Sequence, residues 1–178
     1  MSRQKLLVLE QKSMSSELFS LMHGALVVEI LRDTRGDPEQ TNKALDQIGF
    51  NMGVKLADDF LAKIPKASKC SDIAQTAELI AKQALKSYLD TPATVSFQSA
   101  TVFTLELESN PLINGFVEIP PEFSGLKYST IAAGAIRGAL NAVNLDVETE
   151  VIADTPDPTV IKCTFKNIIH EILPPSED

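Results

Sequence analysis

Cysteine and histidine are scarce in this chain, two of each among 178 residues, and that scarcity removes whole classes of function. Cys70 and Cys163 cannot build a disulfide framework, and with only His23 and His170 to join them no spacing assembles a metal cluster. A glycine-rich phosphate loop and a Gly-X-Ser-X-Gly elbow are both missing. No apolar run approaches the ~20 residues that cross a bilayer. The amino terminus lacks a secretory pattern: Arg3 and Lys5 precede a short apolar patch, but Glu10 and Lys12 follow without a small-residue cleavage site. The chain therefore reads as cytosolic. A net charge of -8 leaves no basic face for nucleic acid. Positive charge gathers only between Lys55 and Lys86, where six lysines meet four acids. That stretch is either a set of solvated faces or a surface for an anionic membrane.

What is present suffices for one sizeable core, since a chain of this length buries about two-thirds of its unfolded surface. Ser15 and Glu17 mark the start of a first helix running to about Arg32, apolar on almost every side from Leu18 to Leu31. Such a helix needs cover on more than one face, either as a central core helix or against a partner subunit. Asp37-Pro38-Glu39-Gln40 starts a second helix whose stripe holds Leu45, Ile48, Gly49, Met52, Gly53, Leu56 and Phe60, with the glycines one turn apart for close helix approach. Pro65 ends it. Asp72 and Gln75 open a third helix over about Ile73 to Leu89.

After Pro92 the period changes from 3.6 to 2. Thr94–Phe97 and Thr101–Glu108 read as a hairpin, followed by a segment punctuated by Asn110-Pro111, Asn114-Gly115 and Pro120-Pro121, with Phe116, Val117 and Ile119 as apolar anchors. Those anchors suit either a neighbouring subunit or internal packing. A fourth helix is expected from about Leu126 to Asn144, with Gly134 and Gly138 repeating the close-packing device against the sheet or helix three. Leu145–Val151 and Thr159 to about Ile169 form a second hairpin, Val147, Thr149 and Val151 facing in. The order ααα-ββ-α-ββ predicts an α+β plait, a four-stranded antiparallel sheet with helices on one face. One domain spans 1–178, with residues 1–13 flexible and 174–178 an acidic tail.

Cys70 stands just ahead of the third helix beside Lys69, where dipole and charge favour a thiolate; the competing reading is an inert, half-buried cysteine. Within that helix Ala77, Ala81 and Ala84 recur at i, i+4 and i+7, which means either tight packing or a groove open to an acyl chain. An acyl-transfer enzyme with Cys70 as nucleophile would need His23 or His170 as base, and no spacing places either beside it. No catalytic residue and no metal ligand is assigned.

Several fragments then fall in order along the chain: Met14-Ser15-Ser16-Glu17-Leu18-Phe19, Gly24-Ala25-Leu26-Val27, Gly49-Phe50-Asn51, Asp59-Phe60-Leu61-Ala62, Asn110-Pro111-Leu112 and Arg137-Gly138-Ala139-Leu140. Together they resemble the palmitoylated core subunit of the transport protein particle (TRAPP), a vesicle-tethering complex. The resemblance implies an α/β plait that pairs through its first two helices with itself or a related subunit. The residues assigned to that interface are Leu18, Met22, Ala25, Leu26, Leu45, Ile48 and Met52. It implies a palmitoyl group on Cys70, with Ala77, Ala81, Ala84 and Gly134 lining its tunnel and no other cofactor. It also implies other TRAPP subunits and an early-secretory Rab-family GTPase as partners, with Leu173, Pro174, Glu177 and Asp178 of the tail reaching the GTPase. The protein would be cytoplasmic and peripheral at the early Golgi and ER-Golgi vesicles, touching the Golgi membrane surface without binding nucleic acid. It would act in tethering and in nucleotide exchange without being an enzyme by itself. The alternative is a fatty-acid binding or sensing protein of the same fold. Three positions depart from the pattern: Lys55 in Gly53-Val54-Lys55, the segment Val95-Ser96-Phe97-Gln98, and Lys166-Asn167 in the last strand.

Overall fold

Local signals place the helices. In the computed structural model, which describes residues 15–64, 72–113, 117–155 and 158–169, Ser15 Oγ accepts from Leu18 N–H and opens α1 (Ser16–Asp33). Gly36, at φ +79°, turns the chain and donates its N–H to Leu31 O at 2.7 Å. Asp37 then accepts from the N–H groups of Glu39 and Gln40, and with Pro38 in the first turn it begins α2 (Pro38–Lys63). Asp72 caps α3 (Ile73–Leu79) by accepting from Gln75 N–H at 2.7 Å.

The third helix departs from the expected regular run. A π turn over Ile80–Ala84 separates α3 from α4 (Leu85–Leu89), with Leu85 N–H reaching back to Ile80 O. A turn with i→i+5 bonds takes up extra residues, so Ala77, Ala81 and Leu85, at four-residue steps, stay on one buried face. That face packs on the sheet with Phe103, Ile161 and Cys163. Ala84 is rotated off it.

The sheet has the order β1-β2-β4-β3 and every pairing is antiparallel. Its strands are β1 (Thr94–Phe97), β2 (Val102–Leu107), β3 (Leu145–Ala153) and β4 (Thr159–Ile168). The inward row includes Phe103, Leu105 and Leu107 on β2, Val147 and Val151 on β3, and Ile161 and Cys163 on β4. Glu106, Glu148 and Glu150 alternate onto the exposed face. The two hairpins and the one-sided helical layer match the α+β plait expected from the pattern.

The fourth long helix, α5 (Thr130–Ala142), starts four residues later than its apolar content suggested. Ser129 donates its N–H to Asp154 Oδ2 at 2.8 Å and its hydroxyl to Asp154 Oδ1 at 2.7 Å, so a carboxylate from the β3–β4 turn fixes the helix start. Asn110 joins the same buried cluster, donating to Ser129 Oγ and Thr159 Oγ1. Val117, Ile119 and Phe123 pack against the Val27, Leu45, Leu126 and Tyr128 cluster, which resolves the segment after β2 in favour of internal packing; Phe116 lies outside the described residues.

Helix α5 lies against both the sheet and α2, and its contact with α2 is made by backbone. A Cβ on Gly53 would collide with Ala135 O and stand 2.8 Å from Ala139 N; one on Gly49 would meet Ile131 O. From the other side, a Cβ on Gly134 would meet Asp46 O and one on Gly138 would meet Phe50 O. The two helices run parallel through this seam. Arg137 clamps it from outside, paired with Asp46 and stacked 4.5 Å above the Phe50 ring.

The seam yields a stability prediction. Gly53→Ala adds ~1 kcal/mol of helix propensity but forces a methyl into backbone that cannot swing away, an overpacking cost of about 1–3 kcal/mol or more. Urea unfolding is expected to show net destabilisation. Gly125→Ala, whose Cβ would meet only Pro38 at 3.6 Å, should leave the midpoint nearly unchanged.

Candidate functional site

Between α1, α2, the α3–α4 segment and α5 the fold forms a cavity of about 820 Å³, open to solvent on the side where the exposed Met22 and Met52 line it. Along α5 it is floored by Ala132, Ala135 and Ala139 between the larger Ile131, Ile136 and Val143, so short side chains create the room. Leu79, Ile80, Ala84 and Tyr88 form a second wall; Met52, Leu56 and Phe60 form a third. Phe19, His23 and Leu112 stand with Ile131 at the amino-terminal end of α5, whereas Val143 and Leu145 mark its carboxy-terminal end. Thr76 and Leu145 also line a shallower neighbouring groove with Asp72 and Ile73. The start of α3 is therefore at the α5 carboxy-terminal end.

Few polar groups face this space. His23 Nε2 donates to Tyr128 O at 2.9 Å, and the two rings meet edge to face at 4.8 Å between centroids. Burial holds the imidazole below its ordinary pKa of 6.5, against the opposing pull of the Tyr128 carbonyl and Asp154. Tyr88 donates to Asp59 Oδ2 at 2.6 Å and lies 3.2 Å from Leu56 O, which ties α4 to α2. Burial, reinforced by the Asp59 carboxylate, raises the phenol pKa. Lys63 pairs with the same Asp59 at 2.6 Å and lies 5.6 Å from the Tyr88 ring centroid. None of the described lining residues is Lys, Arg, Asp or Glu.

The assigned residues separate in this geometry. Ala84 lines the cavity. Ala77 and Ala81 do not: both are fully buried against the sheet, because the π turn keeps them in line with Leu85 and rotates Ala84 away. Gly134 is also misassigned to the lining, since it sits in the α2–α5 seam against Asp46. Of the interface residues, Leu18 is 50% exposed, Met22 58% and Met52 45%, and Ala25 is exposed too. Leu26 and Ile48 are half-buried. Leu45 is 0% exposed, packed with Val27, Leu126 and Tyr128, so it cannot face a partner. The sequence assignment omitted Leu21, 62% exposed, although its place on the apolar first helix offered a signal. It also missed Leu112, which lies in a non-periodic segment where spacing carries no information.

Cys70, His170 and the tail residues Leu173, Pro174, Glu177 and Asp178 lie outside the described residues. Cys163 is described, and burial pushes its thiol up to about 12, as befits a core residue rather than a nucleophile. Lys63, Lys82 and Lys86 are each paired with an acid, Asp59, Glu78 and Asp90, which neutralises part of the lysine-rich stretch.

The comparisons with known proteins bear on this geometry. The family model described as "Transport protein particle (TRAPP) component" matches residues 19–168. The chain belongs to the TRAPP component family. A Caenorhabditis briggsae relative, a trafficking protein particle complex subunit 3 homolog, is 43% identical over 95% of this chain and 94% of its own length. The Dictyostelium discoideum trafficking protein particle complex subunit 3 is 38% identical over 94% and 91%. Among solved structures, a trafficking protein particle complex subunit 3 from Naegleria fowleri, covalently bound to palmitic acid, superposes with a TM-score of 0.80 at 36% identity, covering 88% of this chain and 98% of that one. The TRAPP-component fold recognised from the ordered fragments is thus the observed one.

The buried imidazole predicts a pH effect. As pH falls, the unfolded chain takes up the His23 proton before the folded one does. Stability owed to neutral His23 is therefore complete above 6.5 and is lost as pH drops below it. Urea midpoints measured between about pH 7.5 and 5 should fall less steeply for His23→Gln than for the unsubstituted protein.

Proposed function

We propose that this chain is a core subunit of the TRAPP vesicle-tethering complex, carrying a palmitoyl group on Cys70 within the α5-floored cavity. One observation carries the reading: an apolar cavity of about 820 Å³ that reaches Thr76 in the first turn of α3 and shares it with the groove beside Asp72 and Ile73, in a chain 36% identical to a palmitate-bound subunit 3. Acylation exchanges the Cys70 thiol proton for the acyl carbon of a thioester donor, whose thiol leaves protonated. Each methylene then taken from water contributes ~0.8 kcal/mol, so the chain acts as part of the core. A free fatty acid, the alternative occupant, would bring a carboxylate to walls with no described Lys or Arg to receive it. The covalent reading is favoured on that ground.

The exposed Leu18, Leu21, Met22 and Met52 form an apolar face on α1 and α2 that supports pairing with a second subunit, of this chain or a related one. The same proposal places the single 1–178 domain in ER-to-Golgi transport, cytoplasmic and peripheral on early Golgi and vesicle membranes. It gives the tail residues Leu173, Pro174, Glu177 and Asp178 contact with a Rab-family GTPase. Exchange needs no covalent chemistry there, only higher affinity for the nucleotide-free state.

Intact mass from a eukaryotic host tests the acyl group. A palmitoyl-sized increment that hydroxylamine removes is expected on the unsubstituted chain and not on Cys70→Ser, and Ala84→Phe, which fills the wall, should lose it as well. An unmodified chain from that host would overturn the covalent reading. Sedimentation tests the pairing: Leu18→Glu, which sets a charge on the apolar face without touching the cavity lining, should lower the assembled mass to that of one subunit, and an unchanged mass would place the interface elsewhere.

A further inference from the structure

The cavity has two unlike ends. At the carboxy-terminal end of α5 it shares Thr76 and Leu145 with the neighbouring groove beside Asp72 and Ile73. At the amino-terminal end its lining includes Phe19 and the buried His23 and Leu112.

Two of these wall residues are held from behind. Leu112 is 4% exposed, its carbonyl accepts from Ser20 Oγ at 3.3 Å, and its N–H donates to Asn110 Oδ1 at 3.0 Å. Asn110 is locked in turn, donating to Ser129 Oγ at 2.8 Å and to Thr159 Oγ1 at 2.9 Å within the buried cluster around Asp154. The His23 ring is fixed by Tyr128 O and by the edge-to-face contact with Tyr128. The His23 ring cannot yield without breaking a buried hydrogen bond, and the Leu112 backbone cannot shift without breaking two; a buried polar group left unpaired is costly. Side-chain size alone sets the position of this wall.

We propose that Leu112, backed by the Asn110–Ser129–Asp154 cluster and flanked by His23 and Phe19, is the residue that sets the length of acyl chain this cavity accepts. The inference rests on the acyl reading above and adds specificity to it. A chain entering beside the start of α3 runs over Ala139, Ala135 and Ala132 and ends its terminal methyl at Leu112. A shorter chain leaves wall atoms without contacts; a longer one must displace a side chain that its hydrogen-bonded backbone holds in place.

The test is the acyl profile by intact mass of the full chain from one eukaryotic host, before and after hydroxylamine, for the unsubstituted protein, Leu112→Ala and Leu112→Phe. Truncation to alanine opens room for roughly a pair of methylenes, so the dominant hydroxylamine-labile mass should shift upward by one such step. Phenylalanine should shift it downward by a step. The opposite signs separate length selection from simple loss of folding, and circular dichroism of each variant confirms the fold. The same dominant mass on all three folded proteins would overturn the assignment of Leu112 while leaving the acyl reading intact. No labile mass on the unsubstituted protein would overturn both. Should Leu112→Ala not fold, the downward shift in Leu112→Phe decides alone.

Discussion

Backbone-to-backbone contact between α2 and α5 is the constraint on which the remaining architecture hangs. Four glycines, Gly49 and Gly53 on one helix and Gly134 and Gly138 on the other, let each main chain rest on the carbonyls of its neighbour. Each glycine costs ~1 kcal/mol of helix propensity, a cost offset by dispersion contacts made along two turns at close-packed density. The benefit is positional. With α2 drawn this close, Arg137 reaches both Asp46 and Phe50 across the seam, and the flanks of both helices turn toward the same space. The cavity follows from that approach, because α5 presents Ala132, Ala135 and Ala139 beside its glycines where larger residues would fill the gap.

Much of this was legible in the chain because the signals are local. Caps at Ser15, Asp37 and Asp72 fall where side chains satisfy the first free N–H groups of a helix, and the alternation in β2 and β3 gives the inward rows directly. Paired glycines announced close helix contact but not its partner: one helix was expected against the sheet or helix three, and it lies on the sheet and on α2. The misassigned lining residues share one cause. Ala77, Ala81 and Ala84 share a face only if every turn is α-helical, and a single π turn, which no propensity marks, separates Ala84 from the others. Leu45 and the start of α5 failed for a related reason. The Tyr128 cluster and the Asp154 carboxylate are brought in from more than twenty residues away, beyond any window of periodicity.

The two ends of the molecule's polar framework have different tasks. Around Asp154 the side chains of Ser129, Asn110 and Thr159 satisfy one another completely enough to fix a helix start and a loop, as a buried network must if it is to add rigidity rather than strain. Around Tyr88, the pairing with Asp59 and Lys63 is exposed, and surface ion pairs of this kind contribute little. Its hydrogen bonds still hold α4 on α2 along one side of the cavity. The α5 amino-terminal end of the cavity is thus backed by a buried network, whereas the side along α4 is held by an exposed pairing.

The chemistry of the walls decides what such a space can hold. Water needs several polar partners to occupy a cavity, and among the described residues His23, already committed to Tyr128, and the Thr76 and Tyr88 hydroxyls are the only polar side chains in a lining otherwise made of hydrocarbon and sulfur. An alkyl chain needs none. A charged head group, however, would have to stay outside or be neutralised, and a thioester does the latter by converting a carboxylate into an uncharged carbonyl. Cys163, sealed in the sheet core, is held as a neutral thiol by burial, so it cannot be the thiol that such a thioester uses, and the proposed acyl group falls to Cys70, outside the described residues.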